Sequence, residues 1–254
     1  MFQKLHHKKN RQEQGRFLVE GLRLCREALQ SGWKVDAAFI SESFSKTPAF
    51  SQLIPEFRYK QIIPQILSDN NLKRLADTEH PQGIVLALQI PSPPDRLPEI
   101  FFRERLLLAV QSVRDPGNLG TLLRTADWFG ISCIMASRDT ADFFNSKVLR
   151  ASMGGFLRLH LFTSDDLITD LQKFKKRGFS ILGSTVQNGE PLNAFPFHPP
   201  AVLLLGGEAE GLTPDVQALL DTRLTIPGGK AAESLNVSIA GSILLYHLTQ
   251  VRVL

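Results

Sequence analysis

Cysteine is scarce: the 254 residues hold two, Cys25 and Cys133, far apart and outside any C-x-x-C arrangement. That spacing speaks against a zinc ribbon or a disulfide framework. It leaves two buried, inert thiols as the expectation and a reducing cytoplasm as the expected compartment. The six histidines fall at no metal-ligand spacing, so no metal is expected. No apolar run approaches the roughly 18 residues that a membrane helix needs. The first ten residues, Met1 to Asn10, are basic and polar and lack the apolar stretch of a secretory signal, so no membrane partner is expected. The chain also lacks a G-x-G-x-x-G run and a P-loop lysine, which counts against a nicotinamide- or nucleotide-dependent enzyme.

What is present is an ordinary globular composition, 43% apolar and 21% charged, long enough for one large domain or two modest ones. The net charge of +4 is unevenly spread. The first 26 residues carry seven basic side chains, among them Lys4, Lys8, Lys9 and Arg11, against two acids. A basic end on a nearly neutral body suits attraction to a phosphate backbone, and these four are the expected RNA contacts.

Four prolines in the eight residues Pro91 to Pro98 can continue neither a helix nor a central strand. A linker over 93–104 therefore separates an N-terminal α/β domain, 1–92, from a larger one, 105–254. In the first, residues 19–29 have helical spacing stopped by Ser31-Gly32. β-type runs are expected at Val35–Ile40, Phe57–Ile63 and Gly83–Ile90, with a helix over Ile66–Leu75. In the second, strand-like runs fall at 106–110, 133–136, 157–162, 180–182, 202–205 and 223–226. Helices are expected at 119–129, 167–176 and about 235–251. Short apolar strands alternating with helices imply a mostly parallel sheet covered on both faces.

Ligands collect at the carboxyl ends of such strands, and three ends carry unusual residues. The first is Gln111-Ser-Val-Arg-Asp-Pro-Gly-Asn-Leu-Gly120, where Asn118 is the expected N-cap of a helix that carries Arg124 at the edge of its apolar stripe. The second, Leu205-Gly-Gly-Glu208, continues to Glu210, and its glycines permit close backbone approach. The third is Thr225-Ile-Pro-Gly-Gly-Lys230 followed by Glu233-Ser-Leu-Asn-Val-Ser238. There Ser234 or Asn236 can cap the last helix and present free backbone N–H groups. The Asn236-Val-Ser238 match to a glycosylation sequon is noise in a cytoplasmic chain.

These three segments, in this order and spacing, resemble the three motifs of the SpoU (TrmH) family of RNA methyltransferases in the knotted SPOUT superfamily. Arg150-Ala-Ser-Met-Gly154 resembles a further family segment. Phe17-Leu-Val-Glu-Gly21 and Thr78-Glu-His-Pro-Gln-Gly83 resemble the family's substrate-binding domain, related to a ribosomal-protein fold. The resemblance implies a deep trefoil knot, which composition cannot reveal, and a homodimer with its active site near the subunit interface. It implies S-adenosylmethionine held in the knot around Leu205, Gly206, Ile226 and Leu235. The implied reaction is methylation of a ribose 2′-hydroxyl of structured RNA, ribosomal RNA first and transfer RNA next.

By the same resemblance Arg124 stands nearest the hydroxyl, while Asn118, Glu208, Ser234 and Asn236 orient it, the RNA and the cofactor loops; Arg150 joins the RNA-binding set. Arginine as a residue type keeps its proton, so Arg124 as a base competes with Arg124 as a phosphate clamp or alkoxide stabiliser. The chain departs from the family at Gly207, usually asparagine, at Gly228, usually methionine, and at Lys230, commonly glycine. Two alternatives stand beside the main reading: a catalytically silent RNA-binding protein on the same fold, and a methyltransferase acting on a base.

Overall fold

The computed structural model describes residues 2–92, 94, 96–229 and 234–250. Its contacts divide the chain into two compact units, Met1–Ser92 with Phe144–Leu157, and Pro93–Phe143 with Arg158–Leu254. The segment Phe144–Leu157 is the departure from a continuous 105–254 domain.

The first unit has a four-stranded sheet in the order β1-β4-β2-β3: β1 Arg16–Glu20, β2 Val35–Ser41, β3 Gln65–Leu67 and β4 Ile84–Gln89. β4 runs antiparallel to both neighbours, and β3 lies parallel to β2. Helices α1 (Lys8–Gln14), α2 (Leu22–Gln30) and α3 (Asp69–Leu75) accompany it. Two expectations fail here. The run 57–63 is not β-type: Pro55 opens a short helix, Ile54–Tyr59, whose one buried side chain is Phe57, while Ile63 stays exposed. The expected helix over 66–75 starts only at Asp69, where the Ser68 hydroxyl accepts from the Asn71 N–H, and the residues before it form the edge strand β3. The 144–157 segment is held by aromatic packing of Phe144 and Phe156 on Phe17. The Trp33 indole also donates to the Leu157 carbonyl at 3.0 Å.

The second unit is a seven-stranded sheet in the order β7-β6-β5-β10-β8-β11-β9, and each recorded pairing is parallel. Its strands are β5 Leu106–Gln111, β6 Cys133–Ser137, β7 His160–Ser164, β8 Ser180–Ser184, β9 Glu190–Pro191, β10 Ala201–Gly206 and β11 Thr222–Thr225. β7 starts three residues later than expected, because Gly155–Arg158 winds into a 3-10 turn. All six residues of β5 are buried, as a strand covered on both faces requires. Side-chain alternation splits the core. Leu107, Ala109, Val202 and Leu204 meet Leu171 and Phe174 of helix α5 (Leu167–Lys176). On the opposite face lie α4 (Pro116–Trp128) and α6 (Val237–Gln250). There a Cβ on Gly241 would stand 2.5 Å from Leu122 and 2.7 Å from Leu205, so the glycine lets α6 settle against both. The expected end of α6 at Val251 lies outside the described residues.

Candidate active site

The carboxyl ends of β5, β10 and β11 carry the three segments singled out in the sequence. After β5, the cap of α4 is Asp115, not Asn118: the Asp115 carboxylate accepts the Asn118 N–H at 2.8 Å, and Pro116 occupies the first turn. Two Asx residues three positions apart both have the chemistry of a cap, and the one before the proline takes it. This frees the Asn118 side chain for another task.

The Asn118 amide ties the three segments together. Its Nδ2 donates to Glu208 Oε1 at 2.5 Å. Its Oδ1 accepts from Asn236 Nδ2 at 2.9 Å and from the Ser238 hydroxyl at 3.3 Å. Asn236 in turn caps α6, its Oδ1 accepting from the Ser238 N–H at 2.9 Å and from the Ser238 hydroxyl at 2.6 Å. Of the two expected caps, Asn236 is therefore the one used. Ser238 is a site residue that sequence reading passed over, although its spacing from Asn236 fits a capping turn.

Glu208 sits on a tight turn. The Gly211 N–H donates to the Gly207 carbonyl at 3.0 Å, and a Cβ on Gly206 would meet the Gly211 backbone at 2.2 Å, so only glycine fits there. Gln111 braces the same turn through paired bonds with Thr213, N–H to Oε1 and Nε2 to Oγ1, each 3.0 Å.

Arg124 does not join this network. It lies on the exposed side of α4, about 9 Å along the axis from Asn118 at 1.5 Å per residue, with no hydrogen bond or ion pair among the described residues. Among the described residues nothing competes with an incoming anion for its guanidinium. Ser234 is exposed at the entrance to α6, and Leu235 is 48% exposed. Lys230 lies outside the described residues.

The β11 end has the features of a ligand cradle. The Thr225 hydroxyl is buried yet finds no partner among the described residues, a costly state in a protein interior. Beyond it, Ile226 is half-buried, and among the described residues no atom other than those of the chain neighbours stands within 4 Å of a Cβ placed on Gly228 or Gly229. An orphan hydroxyl, an open glycine loop and the apolar Leu235 suit an adenosine-bearing ligand with a polar rim and an aromatic face.

The basic residues of the first unit divide. Lys4, Lys8 and Lys9 are exposed. Arg11 is 3% exposed and donates from Nη1 to the Leu5 and His6 carbonyls, each at 2.9 Å, so it fastens the N-terminal segment and does not face a phosphate. Arg150 is paired with Glu20 at 3.0 Å and Asp77 at 2.8 Å, and Ser146 also donates to Asp77 at 2.8 Å. Burial pushes the Asp77 carboxyl up, but the bonds from Ser146 and Arg150 outweigh it and hold the group below the ordinary carboxylate range. Among the described residues no group of three or more His, Cys, Asp or Glu could hold a metal, and no helix is long and apolar enough to cross a membrane.

A parallel α/β sheet with polar, glycine-bearing turns gathered at its strand ends defines a ligand-binding enzyme domain. Comparison with known proteins makes the class specific. Residues 105–246 match the SpoU rRNA Methylase family, and residues 1–86 match the MRM3-like substrate binding domain. The chain belongs to the SpoU family of methyltransferases. It is 32% identical to the 23S rRNA (guanosine(2553)-2′-O)-methyltransferase RlmP of Bacillus subtilis, over 97% of this chain and 94% of that one. It is 27% identical to a 23S rRNA (uridine(2479)-2′-O)-methyltransferase of Streptomyces viridochromogenes, over 98% and 88%. The crystal structure of the SpoU methyltransferase AviRb from S. viridochromogenes with AdoMet superposes at a TM-score of 0.85 and 25% identity, covering 98% of this chain and 95% of that one.

Proposed function

We propose that this protein is an S-adenosylmethionine-dependent RNA methyltransferase acting on a ribose 2′-hydroxyl, with ribosomal RNA as the favoured substrate and transfer RNA next. The observation that carries the reading is the Asn118 amide, which joins the three family segments in one hydrogen-bonded cluster with Glu208, Asn236 and Ser238. A cluster of this kind holds its loops in fixed relation, and positioning alone supplies several kcal/mol of a two-reactant barrier.

When bound, the cofactor supplies an electrophilic methyl group on a sulfonium. Leu205, Gly206, Ile226 and Leu235 would hold it, with Thr225 offering a hydroxyl that has no partner among the described residues. The exposed Arg124 meets the RNA, its fork gripping a phosphate or stabilising negative charge on the attacking oxygen. The first unit binds RNA through backbone contacts, with Lys4, Lys8 and Lys9 as its phosphate contacts. Residues 1–92, 93–104 and 105–254 serve as substrate-binding part, linker and catalytic part, except that 144–157 group with the first unit.

The family's trefoil knot and homodimer belong to the same proposal. The knot is supported by the match of residues 105–246 to the SpoU family. The dimer is supported by exposed large apolar side chains on α4 and α6: Trp128 is 83% exposed, and Ile239 and Tyr246 are 50% and 58% exposed. Two unpaired, buried thiols suit the cytoplasm. The test is transfer of labelled methyl from S-adenosylmethionine to RNA from cells lacking the gene. Label in ribosomal RNA supports the reading; tight RNA binding without label overturns it in favour of a silent binding protein.

A further inference from the structure

Beside the Asn118 cluster, side chains at the end of β6, outside the three segments, converge on Ser112 in the first of them. Its φ is +58°, in the left-handed region that a non-glycine residue adopts at a cost. The Ser112 N–H donates to Ser137 Oγ at 3.0 Å, and its hydroxyl donates to Asp139 Oδ2 at 2.5 Å. The Ser137 hydroxyl donates to the other carboxylate oxygen, Asp139 Oδ1, at 2.6 Å. One carboxylate thus grips both serines. Partial burial pushes the Asp139 carboxyl up, but the two hydroxyl donors outweigh it and keep the group below the ordinary carboxylate range, an acceptor at working pH.

The left-handed turn aims the Ser112 carbonyl at the neighbouring loop. A Cβ on Gly207 would stand 2.3 Å from that oxygen and 2.9 Å from its carbon, so the two backbones are in direct contact. A side chain at 207 would collide with that carbonyl, so glycine is the residue that fits. Gly207 is followed by Glu208, whose carboxylate accepts from Asn118. If Ser112 relaxed to negative φ, its carbonyl would rotate away and the turn carrying Glu208 would lose its backing.

We propose that Asp139 is a positioning residue for methyl transfer, which holds Ser112 in its left-handed turn so that the Ser112 carbonyl fixes the Gly207–Glu208 loop against Asn118. The inference rests on the catalytic reading above. It is tested by Asp139→Ala, by Ser112→Ala, and by the double variant Ser112→Gly/Asp139→Ala. Glycine takes positive φ without the steric penalty, so it restores the turn without restoring the hydrogen bond.

Asp139→Ala and Ser112→Ala are each expected to lower kcat by about tenfold or more, with the KM for RNA little changed, because misplacement of reacting groups acts on turnover. The double variant is expected to recover most of that loss. Amide hydrogen exchange of the 206–213 peptide, read without substrate, should rise in both alanine variants and fall back in the double. Wild-type turnover in Asp139→Ala, or a double variant as slow as the single one, overturns the proposal. An inactive wild type would defeat the catalytic reading, while the exchange data would still decide whether Asp139 fixes the loop.

Discussion

Asn118→Asp changes one atom of the central side chain and inverts its dialogue with Glu208. The Oδ1 acceptor for Asn236 and Ser238 is retained, but the Nδ2 that donates to Glu208 at 2.5 Å becomes a second carboxylate oxygen. Two carboxylates at 4 Å repel by about 4 kcal/mol at an effective dielectric of about 20. Glu208 is exposed and solvent screens this repulsion, so the loss is closer to that of the hydrogen bond to a charged group, about 1.5–3 kcal/mol. That corresponds to a fall in kcat/KM of about ten- to a hundredfold. The pH dependence separates repulsion from simple loss of contact. Crowded carboxylates share a proton and one pKa rises, so the activity of Asn118→Asp relative to Asn118→Ala should increase as the pH is lowered from about 8 to about 5.5. The assay is initial-rate methyl transfer at saturating cofactor for both variants across that range. A ratio that does not move with pH, or an Asn118→Asp enzyme as fast as wild type, would refute the role assigned to the Asn118–Glu208 bond.

Gly241→Val places a branched side chain where a single Cβ already stands 2.5 Å from Leu122 and 2.7 Å from Leu205. Overpacking of that kind costs about 1–3 kcal/mol and should lower the melting temperature by several degrees, read by calorimetry. Thr225→Val removes the orphan hydroxyl. It should leave the ligand-free protein as stable or more so, and weaken S-adenosylmethionine binding by about 0.5–1.5 kcal/mol in titration calorimetry. Replacing Lys4, Lys8 and Lys9 by glutamine should flatten the salt dependence of RNA binding by up to about three counterions. Arg11→Gln should instead destabilise the first unit. In Asp77→Asn the acid sensitivity of that unit should fall: a carboxyl held below its unfolded value stabilises above that value, and its contribution vanishes as pH drops through the folded one.

The sheet of the second unit was readable because β5 and β10 are short, unbroken apolar runs bounded by turn residues and alternating with helical patterns, as strands buried on both faces are. Residues 57–63 misled because Phe57 and Tyr59 alternate with Arg58 and Lys60 as in a half-buried strand; the proline at 55 was the better signal. The grouping of Phe144–Leu157 with the N-terminal unit rests on contacts such as Arg150 with Glu20, 130 residues apart, which no local pattern encodes. At the site, the family resemblance named Asn118, Glu208 and Asn236 but not the bonds among them. The cap was misassigned because Asp115 and Asn118 offer the same chemistry in sequence, and only the helix start distinguishes them.

The chemical identity of the methylated product tests the central claim most directly. Labelled RNA, treated with alkali, should yield its label in a dinucleotide resistant to cleavage, because a methylated 2′-oxygen can no longer attack the neighbouring phosphate. Mass spectrometry of the enzymatic digest should then show a 2′-O-methylnucleoside. Label released on an alkali-sensitive mononucleotide bearing a methylated base would contradict the mechanism built around Arg124 and Asn118, while leaving the fold and the cofactor in place.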